Sequence, residues 1–167
     1  ENTSLSLRGS GSVNEGENTS LTAGISGPAL DPIKIQLTGS WGGRLTVPES
    51  VTIPAGASSA DFTVEAPQNS VPENPVQLQL SAQAPGFYTQ YFNLRLEEDD
   101  PDHFSFDPIP QRVAGTAFPI TVTARTSNGY NAARGFNGTV ALSASGSAGA
   151  LTVSPPVTGT FTEGVWN

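Results

Sequence analysis

The chain has no cysteine and no methionine, and only 7 of its 167 residues are lysine or arginine. The missing cysteine excludes disulfides, thiol chemistry and cysteine-ligated metal sites. So few basic residues leave no positive stripe to neutralise phosphates, which excludes a nucleic-acid partner. With a net charge of −8, an anionic membrane surface repels the chain. No apolar run is long enough to cross a bilayer, so membrane insertion is excluded too. Histidine occurs once, as His103, too little for a transition-metal site. Its neighbour Asp102 suggests an acid–base pair, but catalysis needs a nucleophile and an oriented base held in a cleft. The expectation is that the chain is not an enzyme. A start at Glu1 without methionine reads as a processed or excised piece of a longer protein.

The sequence does contain many short alternating runs. Apolar residues rarely recur at helical spacing, whereas period-two alternation returns repeatedly. Leu5 and Leu7 begin it. Leu21, Ala23 and Ile25 follow, then Ile33, Ile35 and Leu37, with Lys34 and Gln36 on the wet face. Leu45 with Val47, Val51 with Ile53, and Phe62 with Val64 and Ala66 continue the series. Val76, Leu78, Leu80 and Ala82 alternate with Gln77, Gln79 and Ser81. Tyr88, Phe92, Leu94 and Leu96 are expected to face a core, and Tyr91 water. Gly27-Pro28, Asp31-Pro32, Gly42-Gly43 and Pro85-Gly86 mark turns between these runs. High glycine and proline contents, 18 and 14 residues, suit many short strands. Strands with one greasy face bury it by pairing two sheets, which predicts an antiparallel sandwich.

Composition changes at Glu97-Glu98-Asp99-Asp100-Pro101-Asp102, five carboxylates in six positions. A domain boundary is expected here, giving modules over 1–100 and 101–167. In the second, Phe104 and Phe106 open the alternation and Phe118, Ile120, Val122 and Ala124 predict a strand. Asn128-Gly129 predicts a tight turn. Phe136, Val140, Leu142, Leu151, Val153, Phe161 and Val165 follow. About 65 residues is short for an Ig-like sandwich. The expected fold is therefore all-β: two tandem Ig-like antiparallel β-sandwiches, the second lacking its last strands. The pentapeptide Glu1–Leu5 recurs as Glu17–Leu21, through coincidence or local duplication.

Residues 1 to 100 resemble the Calx-β family of extracellular and calcium-sensing sandwiches. The resemblance is carried by Val13-Asn14-Glu15-Gly16, by Val51-Thr52-Ile53-Pro54-Ala55-Gly56 before Phe62, and by the acidic run Glu97–Asp100 after the final strand. Residues 103 to 167 resemble a bacterial Ig-like repeat of large surface proteins. There the matching pieces are the segments 114–124, Phe136–Val140 and Phe161–Trp166. The resemblance implies modules found in tandem arrays.

In calcium-binding Calx-β modules, the early glutamate and the acids after the last strand share one end of the sandwich. Carried over, this nominates Glu15, Glu97, Glu98, Asp99, Asp100 and Asp102 as calcium ligands. Calcium takes six to eight oxygens in flexible geometry, which suits loops. Two central loops that supply acids in the family read Ala66-Pro67-Gln68-Asn69-Ser70 and Gly42-Gly43-Arg44 here, without them. The competing reading is a solvated charge run that keeps the modules soluble and apart. Trp41, Tyr88, Tyr91, Tyr130 and Trp166 are the rings that could stack on a glycan, although aromatics make up only 8 % of the chain. The sequons at Asn2, Asn18 and Asn137 carry little weight in a bacterial protein.

These readings converge on a non-catalytic extracellular structural or adhesive module pair of a larger bacterial surface or secreted protein. It would act as a spacer, stiffened by calcium if the linker binds it. Its expected partners are neighbouring Ig-like modules of the same or another chain, a surface protein, or a glycan. Two alternatives stay open: a glycan-binding accessory region of a secreted hydrolase, and a strand-sharing subunit of a surface filament.

Overall fold

In the computed structural model, which describes residues 4–113, 115–146 and 149–167, the alternating runs become β-strands. Among the described residues there is no helix, and so none long and apolar enough to cross a membrane. The chain forms two compact units. One takes the residues up to Asn69 together with Pro75–Glu97, the other Ser70–Asn74 together with the residues from Glu98 onward. The first copy of the repeated pentapeptide, the Asn2 sequon and Ala114 in the surface-repeat segment fall wholly or partly outside the described residues.

The first unit contains β1 (Leu5–Gly9), β2 (Ser12–Asn14), β3 (Asn18–Ile25), β4 (Ile33–Gly39), β5 (Ser50–Ile53), β6 (Ser59–Glu65), β7 (Val76–Gln83) and β8 (Gln90–Glu97). They form one sheet of order β1-β3-β6 and another of order β2-β8-β7-β4-β5. All pairings are antiparallel except β2 with β8. Alternation decides which side chains meet. Leu21, Ala23, Phe62 and Val64 from the first sheet share one buried cluster with Ile35, Leu37, Ile53, Leu80, Ala82, Leu94 and Leu96 from the second. Two sheets closing face to face over one core make an Ig-like β-sandwich. Leu21, Ile35 and Ile53 are fully buried, each contributing roughly 1.5–3 kcal/mol relative to exposure.

The chain changes sheet between β1 and β2 at Gly9-Ser10-Gly11. Gly9 has φ +151°, and a Cβ there would press on the Leu21 side chain and the Ser20 carbonyl. Glycine is therefore required where the backbones approach. The sequence pattern extended some strands too far. Tyr88 is 80 % exposed, because it stands in the β7–β8 turn and the strand begins only at Gln90. Leu45 is buried, yet its segment forms a single bridge, Thr46 with Glu65, instead of a strand.

The second unit contains β9 (His103–Phe106), β10 (Val122–Arg125), β11 (Ala144–Gly146), β12 (Gly149–Leu151) and β13 (Val165–Trp166). One sheet has the order β13-β10-β9, and β11 and β12 pair separately. Val122, Ala124, Ala133 and Phe161 form the core, with Phe104, Phe136 and Trp166 packed on it. The rings of Phe104, Phe136 and Phe161 meet edge-on or tilted, with centroids 5.1–5.8 Å apart, an arrangement the ring quadrupoles favour. Asn128-Gly129 forms the expected turn: Gly129 has φ +72°, and Asn128 Oδ1 accepts from the amides of Tyr130 and Asn131. The expected strand over Phe118–Ala124 shrinks to Val122–Arg125. Phe118 is 39 % exposed.

Candidate functional site

The acidic segment leaves β8 where the first unit closes. In that unit, Glu15 sits in the turn between β2 and β3 and is buried. Its amide donates to the Glu97 carbonyl at 3.1 Å, which extends the β2–β8 ladder by one step. Its carboxylate turns toward the segment after β6, where Oε1 accepts from the Asn69 amide at 2.9 Å and from the Asn69 side chain. Gly16 donates to Ala66 and Ala66 to Glu17, each at 2.9 Å. Glu97 is buried at the end of β8, and its Oε1 accepts from Arg95 Nε at 2.5 Å.

The second unit begins with three further acids. Glu98 is fully buried and its carbonyl accepts from the Gly135 amide at 3.0 Å. Its Oε1 accepts from the Asp100 amide at 3.2 Å. The carboxylates of Glu98, Asp99 and Asp100 each place an oxygen within 4.8 Å of the others. Burial pushes the Asp100 carboxyl above its usual range, and the charges of Asp99 and Glu98 push it the same way. Desolvation and like charge both disfavour the ionised form of a carboxyl.

Of the six nominated ligands, then, Glu98, Asp99 and Asp100 converge. Glu15 is held against the residue that precedes them in the chain. Glu97 is turned to Arg95 instead. Asp102 is exposed: its carboxylate meets His103 Nδ1 at 2.8 Å, and its amide is tied to the Arg125 carbonyl at 2.8 Å. The donor chemistry fits a hard cation, since carboxylate oxygens on a loop, one or two per residue, can supply much of a calcium shell.

The rings divide cleanly. Trp41 packs on the first core and Trp166 on the second. Tyr88, Tyr91 and Tyr130 are exposed. The second unit also carries an apolar cleft of about 600 Å³, lined by Phe106, Ile109, Phe118, Ile120, Leu142 and Leu151. Sequence reading missed this cleft because exposed and core hydrophobics look alike in an alternating run.

The first unit is thus an Ig-like β-sandwich. No family model matches the chain, and no curated protein does either. Among solved structures, it is similar to a Pseudomonas aeruginosa CupB2 chaperone, at 10 % identity and TM-score 0.40 over 95 % of this chain and 86 % of that one. It is similar to a YadV chaperone at 12 % identity and TM-score 0.40, over 73 % of this chain and 67 % of that one. It is also similar to WR4, a C. elegans MSP family member, at 8 % identity and TM-score 0.35, over 56 % of this chain and 96 % of that one. The sandwich assignment rests on the sheets and the core described above.

Proposed function

We propose that this chain is a non-catalytic structural piece of a larger bacterial surface or secreted protein. In this reading a Calx-β-like sandwich and a second β-rich module, a bacterial Ig-like repeat, serve as spacers, and calcium fixes the acidic segment that joins them. The observation that carries the reading is the convergence of Glu98, Asp99 and Asp100, with Asp100 held above the usual carboxylate range. A cation there would offset the mutual repulsion of the three carboxylates and the desolvation of Asp100.

The test is thermal unfolding in millimolar calcium and then in chelator. Binding to the folded state alone adds RT ln(1 + [L]/Kd), about 2.7 kcal/mol at a hundredfold excess over Kd. The reading expects the second unit's midpoint to rise by roughly 5–15 °C, and Asp100→Ala to abolish the rise. An unchanged midpoint would overturn calcium as the ligand of the acidic segment.

A second reading is favoured by the apolar cleft of the second unit. An extended segment of another chain could fill such a cleft and pair with a sheet edge, making this an assembly subunit. Solution mass separates the two: a spacer is monomeric, and a strand-sharing subunit is not.

A further inference from the structure

We infer that the outer face of the five-stranded sheet in the first unit binds a neutral polysaccharide, with Tyr91 as its stacking platform. This inference is independent of calcium at the acidic segment.

The register builds the face. Tyr91 on β8 lies opposite Ser81 on β7, and Ser81 lies opposite Thr38 on β4. One same-face step along, Asn93 lies opposite Gln79. One step the other way, Gln83 lies opposite Gln36. With neighbouring strands about 4.8 Å apart, the row from Tyr91 to Thr38 runs roughly 10 Å across the sheet. Tyr91 is 63 % exposed and Tyr88, in the β7–β8 turn, 80 %. Three residues of chain separate their Cα atoms by at most about 11 Å. Tyr91 therefore stands at one end of an amide-rich row, with Tyr88 exposed in the adjoining turn.

Three features of this face select the ligand. The first is charge. In a chain of net charge −8, the middle of this face, Gln36, Thr38, Gln79, Ser81, Gln83, Tyr91 and Asn93, carries none at neutral pH. The cations of the face stand one same-face step further out, Lys34 beyond Gln36 and Arg95 beyond Asn93, and Arg95 is paired with Glu97. The second is hydrogen-bonding type. Each amide both donates and accepts, which matches sugar hydroxyls that do both. The ladder is already ordered: Thr38 Oγ1 and Ser81 Oγ are 2.7 Å apart, and Gln79 Nε2 donates to Asn93 Oδ1 at 3.2 Å. Groups fixed before binding lose less entropy on binding. The third is the kind of apolar surface. Protein interfaces have an apolar core, whereas among the described residues of this unit the exposed large hydrophobics are Leu30, Tyr88 and Tyr91. Tyrosine offers a flat face of negative potential to the weakly positive C–H groups of a sugar ring.

The test is retention of the full chain on cellulose, chitin, xylan and mannan, with polygalacturonate as an anionic control, by pull-down and affinity electrophoresis. Retention by at least one neutral polymer is expected. Tyr91→Ala should weaken it at least tenfold and Tyr88→Ala/Tyr91→Ala should abolish it, while Tyr91→Phe retains it. The unfolding midpoint followed by Trp41 fluorescence should not move, because both tyrosines are solvent-facing. Gln79→Ala with Gln83→Ala provides a second test that leaves the rings intact, again with reduced retention expected. No retention on any neutral polymer, retention on polygalacturonate alone, or undiminished retention by the double tyrosine variant would each overturn the inference.

Discussion

Glu15 and Asn69, 54 residues apart in the chain, are clipped together twice: the Glu15 Oε1 accepts from both the backbone and the side-chain amide of Asn69. The clip joins the β2–β3 turn to the strand exit after β6. A carboxylate that the Calx-β resemblance nominates as a calcium ligand therefore also has a structural role. Removing a buried acceptor leaves its donors unsatisfied, at a cost of about 1–3 kcal/mol. Glu15→Ala should lower the first unit's midpoint by roughly 5–15 °C, with or without calcium. Glu15→Gln keeps an acceptor at the same place and should recover most of the loss. Trp41 fluorescence during heating checks both, in a Trp166→Phe background that leaves Trp41 as the sole tryptophan.

Asp100 sets a pH dependence of definite sign. Burial, Asp99 and Glu98 raise its folded-state pKa above the unfolded value. The folded chain thus takes up this proton at a higher pH than the unfolded chain does. The destabilising contribution is present above the folded pKa and disappears as pH falls through it toward the unfolded value. Without divalent cations, acidification from neutral pH into that window should raise this group's contribution to the second unit's stability. Asp100→Asn should raise the midpoint at pH 7 and flatten that segment of the profile. A variant less stable than the parent at pH 7 in chelator would show that the carboxylate is instead satisfied by its surroundings.

The second unit rests on few apolar residues, and Phe161 is central among them. It is buried and touches both Phe104 and Phe136. Phenylalanine-to-alanine changes in cores cost about 3–5 kcal/mol, a large share of a small module's total stability. Phe161→Ala should abolish the cooperative transition seen by Trp166 fluorescence at 25 °C, or lower its midpoint by more than 10 °C. Phe161→Leu should retain a transition at reduced temperature. In both variants Trp41 should still report a folded first unit.

Much of the first unit was legible in the sequence, because period two states directly which side chains face inward. Ile35, Leu37, Phe62 and Val64 alternate in the sequence and are buried in the structure. Period two does not say which strands are neighbours. The parallel pairing of β2 with β8 and the sheet change at Gly9 carry no such signal. Nor does it mark where a strand stops: the alternation runs on through Tyr88, which stands exposed in the β7–β8 turn. In the second unit, Phe118 and Ile120 continue the alternation of Val122, but the pairing of β10 with β9 begins at Val122. The acidic run announced a cluster, yet only the fold distinguishes Glu98, which is buried, from Asp102, which faces water. The amides of the outer sheet face were visible as Gln77 and Gln79, alternating with the core residues Leu78 and Leu80. Their alignment with Asn93 and Tyr91 required the register.

The turn at Glu163-Gly164 escaped the sequence reading, and it yields the most direct stabilising change. Thr162 and Val165 exchange both backbone hydrogen bonds, at 2.9 and 3.0 Å, around two residues with positive φ, Glu163 at +51° and Gly164 at +72°. This is a two-residue turn with both central residues left-handed, the geometry for which Asn-Gly is strongly preferred. Glutamate pays a steric penalty there of about 1–2 kcal/mol, part of which asparagine avoids through its short polar side chain. The 3.7 Å ion pair of Glu163 with Arg134 is exposed at both ends and offsets little of that. Glu163→Asn should therefore raise the second unit's midpoint by roughly 2–6 °C, equivalent to about 0.5–1 kcal/mol. Gly164→Ala should do the reverse and more strongly, because its Cβ would lie 2.5 Å from the Ala133 carbonyl oxygen, a backbone atom that cannot swing aside. Melting both variants by Trp166 fluorescence checks the turn from two sides. A stabilised Gly164→Ala would mean that the backbone there is not left-handed.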